Sequence, residues 1–192
     1  MFDFLVKSTI RQKIIRLILF NPAKEFYLTE IARTARTTPG TAQRELRKLQ
    51  KIDLVRFKKK GNLSIFSLNS RHYLLDEIMS IMKKTFGIEE EIKSQLRKIP
   101  NVAYAFLFGS YVKDGLKSDS DIDLFIIGDV DENTILEAVS PIETSISREI
   151  SCRVSSVEEF VRRMRESSFI QDILRNYFLI IGDEHEFKAI AG

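Results

Sequence analysis

The sequence predicts an α+β chain in two parts. A helical amino-terminal part closes with a small basic hairpin, and beyond a helical connector lies a mixed sheet covered by helices. Three observations carry this. Charge divides along the 192 residues: positions 1–70 hold 15 Lys and Arg against 5 Asp and Glu, whereas 71–192 hold 15 against 22. Apolar residues recur at helical spacing through much of 1–51 and 71–98, then give way to short strand-like runs. One such run ends in Gly109-Ser110 and is followed by Asp121-Ile122-Asp123-Leu124, two acids at strand spacing.

In chain order, Ile10, Ile14, Leu17 and Ile18 share a helix face in a segment that begins near Ser8 and stops at Asn21-Pro22. Thr29 is placed to cap a short second helix over 30–35. Thr38, followed by Pro39 at the first helical position, caps a third helix to about residue 51 with Ala42, Leu46 and Leu49 inward. Strand-like runs at 54–58 and 64–68 flank the turn signal Lys59-Lys60-Gly61-Asn62, so 1–70 form the first domain. Residues 71–98 carry Leu74, Leu75, Ile78, Met79, Ile81 and Met82, then Ile88, Ile92 and Leu96, a helical connector broken or bent at Gly87. Its apolar stripe suits an interdomain or homodimer contact. His72 reads as structural. In the second domain, 99–192, strands are expected at 102–108, 121–128 and 148–155. Helices are expected after Ser110 and at 132–144, 157–165 and 169–178, with the sheet covered on one side. A last apolar run at 178–183 closes the chain.

Composition excludes several classes. Hydrophobic residues make up 44%, enough for real cores, while four prolines and eight glycines are too few for a low-complexity linker. No apolar run approaches the roughly 18 residues of a membrane helix, and the amino terminus lacks the features of a signal peptide, so a cytoplasmic protein is expected. The single cysteine, Cys152, excludes an intramolecular disulfide and a thiolate cluster and reads as a packing residue. His185 reads as a surface residue. Neither histidine lies near Ser110 in sequence, which argues against a covalent serine nucleophile.

The chemistry concentrates around Gly109. Phe106-Leu107-Phe108 reads as a buried strand that turns at Gly109-Ser110, where a glycine lets backbone approach a phosphate closely. Strand periodicity aims Asp121 and Asp123 at one face, where two carboxylates can share divalent cations. A basic amino-terminal half suits a polyanion such as DNA, and an acidic carboxy-terminal half suits cations.

Leu28-Thr29-Glu30-Ile31-Ala32 and Thr41-Ala42-Gln43-Arg44-Glu45-Leu46, set in an order of three helices and a hairpin, resemble the winged helix-turn-helix domains of prokaryotic transcription regulators. The resemblance implies that Thr41, Arg44, Lys48 and Gln43 face DNA from the third helix, while Arg56, Lys58, Lys59 and Lys60 of the wing contact phosphates. The alternative is a protein-docking module with a solvated charged surface.

The stretch from Gly109 to Leu124 is similar to the signature of the DNA polymerase beta nucleotidyltransferase superfamily, in its minimal nucleotidyltransferase branch. That similarity implies that Gly109 and Ser110 bind nucleotide phosphates, with Gly115 as a spacer and Lys113 or Lys117 adding charge. It implies that Asp121 and Asp123 hold two Mg²⁺ ions together with a third acid from a later strand. Glu149, in Arg148-Glu149-Ile150, is the candidate for that acid, and Glu143 the fallback. The implied activity moves a nucleotidyl group from ATP or another NTP to a hydroxyl, on a protein such as the toxin of a toxin–antitoxin pair, coupled to DNA binding. The alternative is a DNA-binding transcription regulator whose nucleotidyltransferase domain senses a nucleotide or is inactive.

Overall fold

The computed structural model describes residues 7–114 and 120–191. Gly115 and Lys117 lie outside the described residues. Contacts divide the chain into two units: Met1–Gly87 with Thr144–Ser147, and Ile88–Glu143 with Arg148–Gly192.

In the first unit, α1 (Thr9–Leu19) starts where the Ser8 hydroxyl accepts the Arg11 N–H at 3.3 Å. Its apolar face, Ile14, Leu17 and Ile18, is buried, each side chain worth about 1.5–3 kcal/mol. A two-residue strand, β1 (Phe26–Tyr27), follows and runs directly into α2 (Leu28–Thr34). The second helix therefore begins one residue before the expected Thr29 cap. Tyr27 occupies the cap position in extended conformation and contributes no side-chain cap, because β1 is held by pairing with a later strand. Thr38 does cap α3 (Pro39–Lys51), accepting the Thr41 N–H at 3.3 Å with Pro39 behind it. The hairpin consists of β2 (Val55–Lys60) and β3 (Leu63–Leu68), with Lys60 opposite Leu63. Its turn is thus only Gly61-Asn62, tighter than the sequence suggests. Gly61 sits at φ +59°, the positive angle a two-residue hairpin needs at that place. The sheet order is β1-β3-β2.

The connector is two helices, α4 (Leu75–Phe86) and α5 (Ile88–Leu96), with Gly87 extended between them at φ −51°, ψ 128°. Met79 and Met82 are buried on α4 and Ile88, Ile92 and Leu96 on α5, whereas Leu74 and Ile81 are exposed. His72 is buried: Nε2 donates to the Ile52 carbonyl at 2.9 Å, Nδ1 accepts the Leu74 N–H at 3.2 Å, and the ring stacks on Tyr73. It is structural, as the sequence suggests.

In the second unit the elements run β4 (Val102–Phe108), α6 (Gly109–Asp114), β5 (Ile122–Gly128), α7 (Glu132–Ile146), β6 (Ile150–Ser155), α8 (Val157–Glu166), α9 (Ser168–Leu174), β7 (Phe178–Ile181) and α10 (Glu184–Ala191). The sheet order is β6-β5-β4-β7. β4 is antiparallel to both β5 and β7, while β5 and β6 are parallel and need the α7 crossover between them. The sheet is mixed and covered by helices. Both faces of β5 are nevertheless buried, where the sequence suggested cover on one side. Phe125 and Ile127 join Phe106, Phe108, Phe160, Ile170 and Phe187 in one core, and Ile122, Leu124 and Ile126 are fully buried on the other face. The nearly unbroken apolar run 124–127 is the mark of a strand buried on both sides.

Two further differences lie near the end. The helix expected at 169–178 stops at Leu174, and Phe178 opens β7 instead. α10 is an addition that the sequence reading missed, although Asp183 accepts the N–H groups of His185 and Glu186 at 2.8 and 3.0 Å in the manner of a helix cap. Phe187 from this helix is fully buried in the core. Among the described residues no helix is long and apolar enough to cross a membrane.

One polar contact ties the first unit together. Glu45 on α3 is buried and accepts Arg11 Nε from α1 at 2.7 Å and Lys48 Nζ at 2.8 Å. Burial raises its pKa, but the hydrogen bonds from Lys48 and Arg11 and the positive charges of both together outweigh that and hold it below its ordinary 4.5. A depressed carboxylate pKa contributes stability above the unfolded-state value and loses it as pH falls through the folded-state value. We expect Glu45→Ala to cost roughly 1–3 kcal/mol in urea unfolding at neutral pH. The gap from wild type should narrow as the pH drops below about 4, and a gap unchanged with pH would remove the ionised pair as its cause.

Candidate active site

Strand register assembles the site. Antiparallel pairing sets Phe108 opposite Asp123, so the residue after Phe108 meets the Asp123 side chain. That residue is Gly109, at φ +73°, and a Cβ built on it would collide with Asp123 Oδ2 and lie 3.2 Å from Asp123 Cγ. The position must be glycine on two counts, backbone angle and space. The carboxylate of Asp123 thus lies against the backbone turn that opens α6.

Ser120, two residues before β5, is held from two sides. Arg148, 7% exposed, donates Nε to the Ser120 carbonyl at 2.7 Å and also points Nη2 at it. The hydroxyls of Ser110 and Ser120 are hydrogen bonded to each other, joining the turn after β4 to the residue before Asp121. Asp121 comes just before β5 and Asp123 is its second residue, and their electrostatics are linked. Burial raises the pKa of Asp123, the neighbouring Asp121 raises it further, and Arg153 offsets only part of this, so it stays above the usual carboxylate value. Asp123 is partly buried and Asp121 exposed, and carboxylate oxygens of this kind are the donors Mg²⁺ prefers.

The sequence-predicted residues fall as follows. Gly109, Ser110, Asp121 and Asp123 come together. Glu149 is exposed just before β6, where its carbonyl accepts the Ile122 N–H at 3.0 Å. Glu143 is committed elsewhere, accepting the Ile150 N–H at 2.7 Å. Directly opposite Asp123 on β6 stands Ser151. Among the described residues no group of three His, Cys, Asp or Glu is placed to hold a metal ion. Lys113 is exposed at the end of α6.

The family described as Polymerase beta, Nucleotidyltransferase matches residues 90–185, half of the chain. The chain belongs to this family. It is a nucleotidyltransferase, and the matched segment contains the glycine turn, the carboxylate pair and Glu149. No curated protein matches the chain. Among solved structures it is similar to a toxin–antitoxin complex with AMP-PNP, at 20% identity over 54% of this chain and 80% of that one, TM-score 0.41. It is similar also to the tri-AMPylated Shewanella oneidensis HEPN toxin in complex with MNT antitoxin, at 19% over 54% and 76%, TM-score 0.37. A third likeness is to ZitR, a zinc-responsive MarR family member of Lactococcus lactis, at 20% over 46% and 61%, TM-score 0.32.

Sequence reasoning missed two arginines of the nucleotidyltransferase unit. Arg148 gave no signal beyond its place before a strand. Arg153 carried no assigned role; its guanidinium lies 5.1 Å from the Phe169 ring centroid. Cys152, on β6, is held as a thiol: burial, then the charges of Glu143 and Glu132, push its pKa up to about 12. In the first unit, Arg44 donates to Thr41 Oγ1 at 3.1 Å, and Lys48 is shared with Glu45. Arg56, Lys58, Lys59 and Lys60 are exposed along β2, and Gln43 is partly buried.

Gly109→Ala should lower stability in denaturant titration by about 1–3 kcal/mol. Gly40→Ala should be neutral or stabilising, because nothing lies within 4 Å of a Cβ there. Equal behaviour of the two variants would remove the close Asp123 contact as the reason for the glycine.

Proposed function

We propose that the second unit transfers a nucleotidyl group from ATP, or another NTP, to a hydroxyl acceptor, in dependence on Mg²⁺ held by Asp121 and Asp123. The observation that carries this is the Asp123 carboxylate lying against the bare backbone of Gly109, since phosphate and cation must meet at one place. The first N–H groups of α6 and the Ser110 hydroxyl bind the terminal phosphates of the nucleotide. Asp121 and Asp123 would hold the cation, and Glu149, exposed just before β6, would join them as the third carboxylate when the ion binds. Bound there, Mg²⁺ supplies charge compensation for the phosphates and acidifies the acceptor hydroxyl. Arg148 fixes the loop at Ser120 so that Asp121 keeps its aim. The hydroxyl oxygen bonds to the α-phosphorus, the bond to the bridging oxygen of the β-phosphate breaks, pyrophosphate leaves with that electron pair, and the proton passes to water.

The first unit is the address. Its third helix exposes Arg44, Arg47 and Lys51, and the hairpin adds Arg56 and Lys58 to Lys60, a basic surface that suits DNA phosphates. This surface also supports the second reading, a transcription regulator in which the nucleotidyltransferase unit senses a nucleotide.

With α-labelled ATP and Mg²⁺, the wild-type chain should transfer label to an acceptor protein, and the Asp121→Asn, Asp123→Asn double variant should fall by about 10³-fold or more. Calorimetry should show Mg²⁺ binding weakened by Glu149→Gln. Label transfer that survives the double change would rule the assignment out. In gel shifts on DNA upstream of its own coding region, replacing Lys58, Lys59 and Lys60 by Ala should flatten the slope of log affinity against log salt by roughly two to three units. An unchanged slope would take the hairpin out of the DNA contact.

A further inference from the structure

A cavity of about 710 Å³ borders the outer edge of β6. Four consecutive strand residues line it, Ser151, Cys152, Arg153 and Val154, together with Arg163 and Phe169. Successive residues of a strand point to opposite faces, so a cavity touching all four wraps round the edge of the strand. That edge is free, because the sheet ends at β6. The Glu149 carbonyl accepts from Ile122 on β5, so the backbone groups of Ser151 and Arg153 turn inward and those of Ile150, Cys152 and Val154 turn outward. The Ile150 N–H is taken by Glu143, and its carbonyl by the Cys152 thiol at 3.5 Å. Beyond them, the outward N–H and C=O groups of Cys152 and Val154 have no strand beside them among the described residues.

Two cations flank this edge. Arg153 lies over Phe169, which is 43% exposed, and Arg163 pairs with Glu159 at 3.2 Å while keeping 57% of its side chain exposed. Glu132 also lines the cavity, from the start of α7. The cavity lies on the β6 side of Asp123, next to Ser151, whereas the Gly109 turn lies on the β4 side. Displacement at phosphorus is in line, with the acceptor arriving opposite the leaving pyrophosphate. A phosphate turn on one side of Asp123 therefore leaves the other side to the acceptor.

We propose that the edge of β6 is the acceptor subsite and that the acceptor is an extended, acidic segment of a partner protein. It adds to the sheet as a further strand, sets carboxylates on Arg153 and Arg163, and presents a hydroxyl beside Asp123. The reaction at that hydroxyl rests on the nucleotidyltransferase reading above; the binding does not. Free backbone donors and acceptors are what a peptide pairs with. A sugar-phosphate backbone has no N–H and C=O groups to pair with the outward edge of Cys152 and Val154, whereas a peptide has both and can set two carboxylates on the two arginines.

The test uses the full chain and a fluorescein-labelled peptide of about ten residues, with Glu at alternate positions and Ser at its centre. A matched peptide with Lys in place of Glu and an oligouridylate of similar length serve as competitors. In anisotropy titrations the Glu peptide should bind at least tenfold more tightly than the Lys peptide, and both Arg153→Gln and Arg163→Ala should weaken it by about tenfold. Hydrogen exchange should slow at the Cys152 and Val154 amides when it binds. Arg163 is on the surface, so its variant keeps the test open if Arg153→Gln fails to fold. Equal binding of the two peptides, no effect of Arg163→Ala, or displacement of the Glu peptide by stoichiometric oligouridylate overturns the proposal. AMP-PNP binding, followed separately, reports on the nucleotide site: its loss with peptide binding intact would defeat the enzymatic reading alone.

Discussion

The contact between the Asp123 carboxylate and the backbone at Gly109 is the constraint on which the second unit turns. It requires the β4–β5 register to be correct to the residue, because a slip of one would turn Asp123 into the opposite, fully apolar face. Everything around it serves that register. Phe106 and Phe108 anchor β4 in the aromatic core, Ile122 and Leu124 anchor β5 on the other side, and the Arg148 guanidinium holds Ser120 just ahead of β5. Desolvation and repulsion between the two aspartates act against the arrangement, and the core offsets them. The site is a place where stability is given up locally and recovered by the packing on both faces of the sheet.

The first unit solves a different problem, how to carry many cations on a small core. Its charges are sorted. Arg11 and Lys48 both pair with the buried Glu45, Arg11 thereby joining α1 to α3, whereas Arg47, Lys51 and the hairpin cations face outward. One acid placed inside thus keeps two of the cations structural and leaves the others for a polyanion. Lys48, assigned to DNA by resemblance, sits between these roles because it is more than half exposed while paired.

Much of this could be read before any coordinates were known, and the reasons are local. The helices of the first unit follow from apolar spacing and from caps such as Ser8 and Thr38, which act within a few residues. The hairpin follows from Gly61, and the site from Gly109, Ser110, Asp121 and Asp123, whose roles depend on one strand and one turn each. What was missed depends on distant pairing. β1 is two residues long and exists only because β3 lies beside it, and its strand conformation displaced the expected cap at Thr29. The β6 side resisted for the same reason: that Ser151 faces Asp123 is a consequence of parallel pairing across the α7 crossover, and that Arg153 reaches Phe169 depends on how a later helix packs, neither of which a local pattern encodes. α10 was legible in principle, since Asp183 three residues before Glu186 is a capping signature, but it follows a strand the eye takes for the end of the domain.

The lone cysteine acquires a use from where it sits. Cys152 lies at the outer edge of β6 with its thiol pKa pushed up to about 12, so at neutral pH it is held as the thiol rather than the thiolate that alkylating and oxidising agents attack. While the strand is seated, this thiol is slow to react even though it sits on the border of the sheet. Unseating the edge removes the burial and the neighbouring carboxylates together, returning the sulfur to ordinary reactivity. The native chain therefore carries its own single-site reporter, silent in the closed sheet and readable by the rate at which a maleimide finds it.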